Sequence, residues 1–121
     1  MRENYISIKK LTLLEFLDLP NQLKGKFGKS NSRKYLWIKL IESGNLTCPV
    51  TNKKVDYCSY DYIKSGNLIT YHYNFYSIDG ELFTIDHKIP ISKGGHKSDV
   101  SNLQPMIGKE NWKKSDKLIY L

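Results

Sequence analysis

Residues 84–116 read TIDHKIPISKGGHKSDVSNLQPMIGKENWKKSD, and this stretch decides the expected fold. Pro90 predicts that the apolar strand entering the stretch ends shortly after Asp86 and His87. Gly94 and Gly95 then allow a wide loop that brings the chain back beside the strand it left. A helix is predicted over residues 109–117. The stretch therefore predicts a strand, a Gly-rich loop, a return and a closing helix.

Four polar side chains in this stretch suit metal-assisted cleavage of a phosphodiester. The Asp86 carboxylate is a hard oxygen ligand for magnesium or manganese, and the His87 imidazole can take a proton from water at neutral pH. Adjacent strand residues point to opposite faces, so these two can share a site only where the strand ends. Asn111 and Lys114 lie three apart on the predicted helix, and therefore on one face. Asn111 offers a neutral oxygen to a metal, and Lys114 offers positive charge near the scissile phosphate.

Two further residues belong to the loop and its return. The side-chain amide of Asn102 can both donate and accept, so we interpret it as a clamp on the loop backbone that fixes the orientation of His87. His96 follows the Gly-Gly pair and is a secondary candidate for contact with phosphate or metal.

The stretch resembles the motif of the HNH endonuclease family, which belongs to the ββα-metal class of nucleases. The matched positions are Asp86, His87, Pro90, Gly94, Gly95, Asn102, Leu103, Gln104, Pro105, Asn111 and Lys114. The resemblance implies an α+β fold with a ββα-metal core of β-hairpin, loop and helix, forming a single HNH nuclease domain over residues 1–121. It also implies His87 as the general base, Asp86 and Asn111 as ligands of one Mg²⁺ or Mn²⁺ ion, and Asn102 as the structural middle residue of the motif.

The chain departs from a common version of the family, in which four cysteines hold a structural zinc. The first C-x-x-C position reads Cys48-Pro49-Val50-Thr51 and the second reads Ile107-Gly108-Lys109-Glu110, so three of the four expected thiols are missing. Cys48 and Cys58 supply two thiols, where a structural zinc site wants four ligands. We predict no structural zinc, with the turn around Cys48 kept for packing and both cysteines reduced.

The charge of the chain favours a polyanionic partner. Lysine and arginine number 19 against 12 acidic residues, which gives a net charge of +7. DNA, most simply double-stranded DNA, is the expected partner. Predicted phosphate contacts are Lys24, Lys26, Lys29, Arg33, Lys34 and Lys93. A solvated basic loop over residues 24–34 is the alternative interpretation.

The remaining pattern divides the chain into a helical, basic extension over residues 1–44 and a core over residues 45–121. We predict a short helix over residues 11–19 that ends at Pro20, and a second that begins at Asn31 or Ser32 and ends before Gly44. Residues 46–55 predict a turn between short strands. Leu68–Tyr76 predicts a strand, and Asp79-Gly80 a hairpin turn into a strand over residues 81–86.

The aromatic series between residues 57 and 76 admits two interpretations, a stacking platform for bases and ordinary packing on a sheet. We favour sheet packing, because tyrosine is a good strand former with an amphipathic ring. Trp112 is expected to anchor the last helix in the core.

The function expected from the sequence is that of a metal-dependent DNA endonuclease. Two alternatives stay open: a nucleic-acid-binding module with a decayed active site, and a nuclease directed at RNA. The apolar run over residues 11–19 is interrupted by polar residues and is far shorter than the roughly 18 residues of a membrane span, so we expect a soluble, cytoplasmic protein without a membrane partner. Nothing in the sequence indicates an oligomeric state.

Overall fold

The computed structural model describes residues 4–22 and 32–114, and these form an α+β arrangement of five strands and three helices. The elements in chain order are β1 (Ile6–Leu11), α1 (Leu13–Gln22), α2 (Ser32–Ser43), β2 (Tyr57–Ser65), β3 (Leu68–Tyr76), β4 (Leu82–His87), β5 (Leu103–Ile107) and α3 (Gly108–Lys114). The strands make one antiparallel sheet in the order β1-β2-β3-β4-β5.

Two hairpins build most of this sheet. β2 and β3 pair along their whole length, as β-branched and aromatic residues favour. The predicted turn at Asp79-Gly80 is confirmed: Gly80 has a φ of +81° and its N–H donates to the Ser77 carbonyl. β4 pairs with β3 at Phe83 and Leu82, and with β5 from Phe83 to His87. The return of the chain beside β4 is therefore strand β5.

The sheet has two differently covered faces. Cys58, Phe75 and Phe83 point to one face, because Phe75 is the register partner of both of the others. Phe16 of α1 and Trp37 of α2 pack there, with ring centroids 4.8 and 4.3 Å from that of Phe75. We call this the helical face. Side chains alternate along a strand, so Thr84 and Asp86 point to the other face, where α3 contacts β4.

The predicted helical extension over residues 1–44 is wrong in its first part. Ile6–Leu11 is a strand that pairs with β2, and its residues are exposed up to Leu11. Its alternation is broken by an irregularity between Ser7 and Lys9. An exposed edge strand with a bulge has almost no hydrophobic period, so the backbone pairing that defines it leaves no clear pattern in the sequence.

Helix α1 begins with a capping box that the sequence contained. The Thr12 N–H donates to Glu15 and the Glu15 N–H donates to the Thr12 hydroxyl, at 2.8 and 3.1 Å. The prediction that this helix ends at Pro20 is wrong, because it continues to Gln22. Proline has a φ compatible with a helix, and near a C-terminus its missing N–H removes only one hydrogen bond.

Helix α2 ends as predicted, with Gly44 at a φ of +79° and its N–H donating to the Ile41 carbonyl. Residues 46–55 form the expected turn, closed by a bridge between Thr47 and Lys54. Cys48 in this turn is fully buried, and the Ile107 N–H points at its sulfur from 3.5 Å.

Helix α3 begins one residue earlier than predicted. Residues 115–117 of that predicted helix, the N-cap candidate Asn31, and the predicted phosphate contacts Lys24, Lys26 and Lys29 lie outside the described residues. Within residues 4–22 and 32–114, every helix is too short or too polar to cross a bilayer.

Candidate active site

One cleft at the end of β4 brings together four of the predicted site residues. Asp86, His87, Asn111 and Lys114 line it, together with Ile85, Pro90 and Ile91, and its volume is about 250 Å³. Asp86 and His87 leave the strand where it turns into the loop, and α3 places the other two residues beside them. The four residues that their spacing grouped in the sequence therefore lie together in the structure.

The Asp86 carboxylate is buried and held from two sides. The Gln104 amide donates to Oδ2 at 2.8 Å, and the Lys114 ammonium donates to Oδ1 at 3.0 Å. The side chains of Asp86 and Lys114 are only 6% and 1% exposed, so this is a buried ion pair. A carboxylate oxygen has two lone-pair positions, so each oxygen keeps one beyond these bonds.

The His87 ring is oriented by the loop. Its Nε2 lies 2.7 Å from the main-chain carbonyl oxygen of Lys97. A carbonyl oxygen can only accept, so Nε2 carries the hydrogen of this bond. In the neutral imidazole the lone pair then belongs to Nδ1. His87 can therefore accept a proton at Nδ1 while the loop keeps the ring in place.

Asn102 joins the two ends of the loop. Its Oδ1 accepts the Ile89 N–H at 2.9 Å, and its Nδ2 donates to the carbonyls of Ile89 and His96 at 3.0 and 2.9 Å. Gly95 packs directly against this clamp, since a Cβ there would lie 1.8 Å from the Ile89 carbonyl oxygen. The structure thus places Asn102 on the loop backbone; a catalytic contribution stays a prediction.

Asn111 is fixed through Thr84. Its Nδ2 donates to the Thr84 hydroxyl at 2.7 Å, and that hydroxyl donates to the Met106 carbonyl at 3.0 Å. Because the amide nitrogen is committed to Thr84, the oxygen of the same amide is the atom left to act as a ligand in the cleft.

His96 has a role within the loop. Its Nδ1 accepts the N–H groups of Ser98 and Asp99, at 3.2 and 2.9 Å. Asp99 in turn accepts from the N–H and hydroxyl of Ser101, which lower the pKa of its carboxyl. His96 does not line the cleft. Its main-chain carbonyl accepts from Asn102, but the structure does not bring its ring to the cleft residues.

Of the predicted phosphate contacts, the structure describes Arg33, Lys34 and Lys93, and none of these three lines the cleft. Lys93 is exposed in the helical turn Ile91–Lys93, whose first residue lines the cleft. Arg33 is exposed on α2. Lys34 lies over the ring of Tyr73 on the helical face, and desolvation lowers its pKa. Lys88, exposed beside His87, is a further cation near the cleft and was not among the predicted phosphate contacts.

Gln104 and Thr84 are the site residues to which the sequence analysis gave no role. Gln104 is the register partner of Asp86 and is 6% exposed. Gln104 is one of the matched motif positions in the sequence, but its contact with Asp86 depends on the pairing of β4 with β5. Thr84 lies two residues before Asp86 and therefore on the same face of the strand.

The donor set at the cleft suits a hard divalent cation. Asp86 and Asn111 offer carboxylate and amide oxygens, the ligands that magnesium and manganese prefer. Among the described residues there is no group of three or more His, Cys, Asp or Glu side chains placed to hold a metal. An ion in this cleft would therefore take most of its ligands from water and phosphate, as catalytic magnesium usually does.

Comparison with models of known protein families, with curated proteins and with solved structures found no match for this chain.

Proposed function

We propose that the protein is a metal-dependent endonuclease of the HNH type that hydrolyses phosphodiester bonds in DNA. The observation that carries the proposal is the cleft in which an oriented histidine, a carboxylate, an amide and a lysine meet. The strand, loop, strand and helix that supply them follow the order that the resemblance to the ββα-metal core implies.

His87 acts as the general base. Its Nε2–H is held by the Lys97 carbonyl, so Nδ1 is the atom that removes a proton from water. The carbonyl also stabilises the imidazolium that forms, because a hydrogen bond to the carbonyl strengthens when the ring becomes charged. Asn102 keeps the loop that carries this carbonyl closed against Ile89.

Asp86 and Asn111 would hold a magnesium or manganese ion, with Gln104 orienting the carboxylate. When bound, such an ion supplies a positive charge that stabilises the charge developing on the phosphate and on the departing oxygen. Two protein ligands leave room for a phosphate oxygen. The net charge of +7 and the exposed Lys93 favour approach of a polyanion.

Lys114 makes two polar contacts beside the expected metal ligand Asp86. Its ammonium neutralises Asp86 in the described arrangement and also donates to the His87 carbonyl at 3.2 Å. A divalent ion beside it lowers the benefit of that ion pair through like-charge repulsion, so metal and lysine compete for the carboxylate. The buried ion pair of Lys114 with Asp86 is therefore the observation that favours the second candidate, a module that binds nucleic acid without cutting it.

The deciding experiment is cleavage of supercoiled plasmid by purified protein with magnesium, with manganese and with chelator. Metal-dependent nicking is expected from the parent protein. His87→Ala should reduce the rate by about 10²- to 10⁴-fold, the usual contribution of a general base. His72→Ala, which removes a histidine outside the cleft lining, is the matched control and should cut like the parent.

A His87→Ala protein that cuts at more than a few per cent of the parent rate would refute the role of His87 as the base. No cleavage with any metal, together with salt-sensitive DNA binding, would replace the proposal by the binding module. A parallel assay with RNA decides the substrate. Manganese binding, measured by electron paramagnetic resonance, should be lost in Asp86→Ala and retained in His87→Ala.

A further inference from the structure

A second cavity lies on the other side of the sheet from α1 and α2, and it is larger than the cleft. Its volume is about 380 Å³, and its lining includes Tyr5, Lys10, Tyr57, Ser59, Asp61 and Tyr76. Small-molecule sites begin at roughly this size, about 300 Å³. We call it the tyrosine pocket. None of these residues belongs to the motif at the end of β4.

The floor of the tyrosine pocket is a buried carboxylate with its own donors. Asp61 is 1% exposed and Ser59 is 2% exposed. Asp61 accepts hydrogen bonds from the hydroxyls of Ser59 and Tyr76 and, at 2.9 Å, from the Asn74 amide. Ser7 lies next in the chain of hydroxyls, 2.7 Å from Ser59.

This arrangement decides what the floor can bind. The hydroxyl hydrogens of Ser59 and Tyr76 are used on Asp61, and Ser59 then accepts the hydrogen of Ser7, so the outward position of the Tyr76 oxygen is a lone pair. Oδ1 of Asp61 also keeps one acceptor position. The floor therefore offers hydrogen-bond acceptors, and it suits a ligand group that donates hydrogen bonds, such as an amino group.

The walls and the mouth have a different character. The rings of Tyr57 and Tyr76 stack with centroids 5.4 Å apart, which makes one wall flat and aromatic. Lys10 is exposed at the mouth, with its ammonium 4.2 Å above the Tyr57 ring. A ligand that fits has a flat body with a donor at one end and a negative charge at the other.

The tyrosine pocket opens on the same face of the sheet as Asp86. Tyr57 pairs with Tyr76, and Tyr76 pairs with Leu82 of β4. Asp86 lies four residues beyond Leu82 on the same strand, an even number, so it points to the same face. A nucleic acid lying over α3 and the cleft therefore runs across the face that carries the pocket.

We propose that the tyrosine pocket binds one unpaired nucleotide whose base carries an exocyclic amino group, namely adenine, cytosine or guanine. The base lies against the aromatic wall, its amino group donates to Asp61, and its phosphate meets Lys10. As a substrate subsite, this inference rests on the proposed nuclease function. The binding itself does not require catalysis.

The test is titration of the protein with dAMP, dCMP and dTMP, followed by two-dimensional NMR of the backbone amides. Shifts are expected in β2 around Ser59 and Asp61. Thymine has no amino group, and the two carbonyl oxygens that flank its ring N–H are repelled by an acceptor floor, so dTMP should bind about tenfold more weakly than dAMP, which corresponds to one lost hydrogen bond. Equal binding of the three, or binding of none at millimolar concentration, overturns the proposal.

Lys10→Ala and Lys9→Ala form the matched pair of variants. Both remove one exposed lysine from β1, but Lys10 pairs with Ser59 whereas Lys9 pairs with Tyr60, whose side chain points to the helical face. We expect Lys10→Ala to bind dAMP about tenfold more weakly and Lys9→Ala to bind it like the parent. Equal weakening in both variants would mean general attraction to positive charge and would overturn the pocket.

His87→Ala separates the two proposals. It should bind dAMP like the parent while it fails to nick plasmid. Nicking without mononucleotide binding refutes the tyrosine pocket and leaves the nuclease intact. Mononucleotide binding without nicking by the parent protein supports the pocket and refutes the nuclease.

Discussion

Replacing Asn102 by aspartate tests whether the clamp holds the loop. The change keeps size and shape, and Oδ1 can still accept the Ile89 N–H. It removes both hydrogen bonds donated by Nδ2, to the carbonyls of Ile89 and His96, and places a carboxylate oxygen 3.0 and 2.9 Å from them. Each lost bond contributes about 1 to 1.5 kcal/mol, so we expect a loss of roughly 2 to 3 kcal/mol in the free energy of unfolding.

The assay is thermal unfolding followed by circular dichroism. A loss of this size should lower Tm by about 10 °C, at roughly 4 °C per kcal/mol for a chain of intermediate length. Protonation would restore one donor to the new carboxyl, so its pKa is raised in the folded state. The deficit should therefore be smallest in acid and grow as pH rises above the ordinary pKa of a carboxyl, toward the raised pKa of the folded state. Asn67→Asp, in the exposed turn between β2 and β3, is the control and should leave Tm almost unchanged. A drop of less than about 2 °C in Asn102→Asp would refute the clamp.

Three further predictions follow from packing, charge and burial. Gly95→Ala should destabilise the protein far more than Gly94→Ala in urea unfolding. The Cβ at Gly95 would lie 1.8 Å from the Ile89 carbonyl oxygen, whereas at Gly94 nothing lies within 4 Å and the loss comes only from the strain of its φ of +88°. Equal losses would show that the loop yields freely at Gly95. Lys114→Met should lower the free energy of unfolding by about 3 to 5 kcal/mol, because it leaves the Asp86 charge buried and unpaired. Lys113→Met should lower it by about 0.5 kcal/mol at most, because the Lys113 side chain is 73% exposed. The free energy of unfolding should fall as pH rises above about 9. Burial raises the pKa of Cys58 to about 12 in the folded state, so the unfolded chain loses this proton first. In the Cys58→Ala variant, the free energy of unfolding should fall less steeply over the same pH range.

The parts of the fold that the sequence predicts are those with local signals. Gly44, the Asp79-Gly80 turn and the aromatic and β-branched residues of β3 each act on their own neighbours, and the structure has them where they were expected. β1 had no such signal, because its position depends on hydrogen bonds to β2, a strand about fifty residues later in the sequence. Pro20 gave a wrong prediction for the opposite reason. Its strong local signal for the end of a helix is overridden, because α1 continues to Gln22.

The same distinction between local signals and long-range contacts applies to the candidate active site. Asp86, His87, Asn111 and Lys114 could be grouped from spacing alone, and the structure brings them into one cleft. The spacing could not show that Lys114 bonds Asp86, or that Gln104 bonds it from the other side, since both contacts depend on strand register and helix docking. Trp112 was expected in the core and is 46% exposed, because the face of α3 toward the sheet is used by polar side chains.

Those polar contacts give the cleft residues a second role in holding the fold. Asn111 and Lys114 fasten α3 to β4 through Thr84 and Asp86. Substitutions at Asp86, Asn111 or Lys114 therefore change the docking of α3 together with any chemistry. The ring of His87 bonds the loop at Lys97 and takes no part in that docking. Loss of nicking in His87→Ala can accordingly be assigned to the chemical step, which makes this residue the sharpest place to test the function.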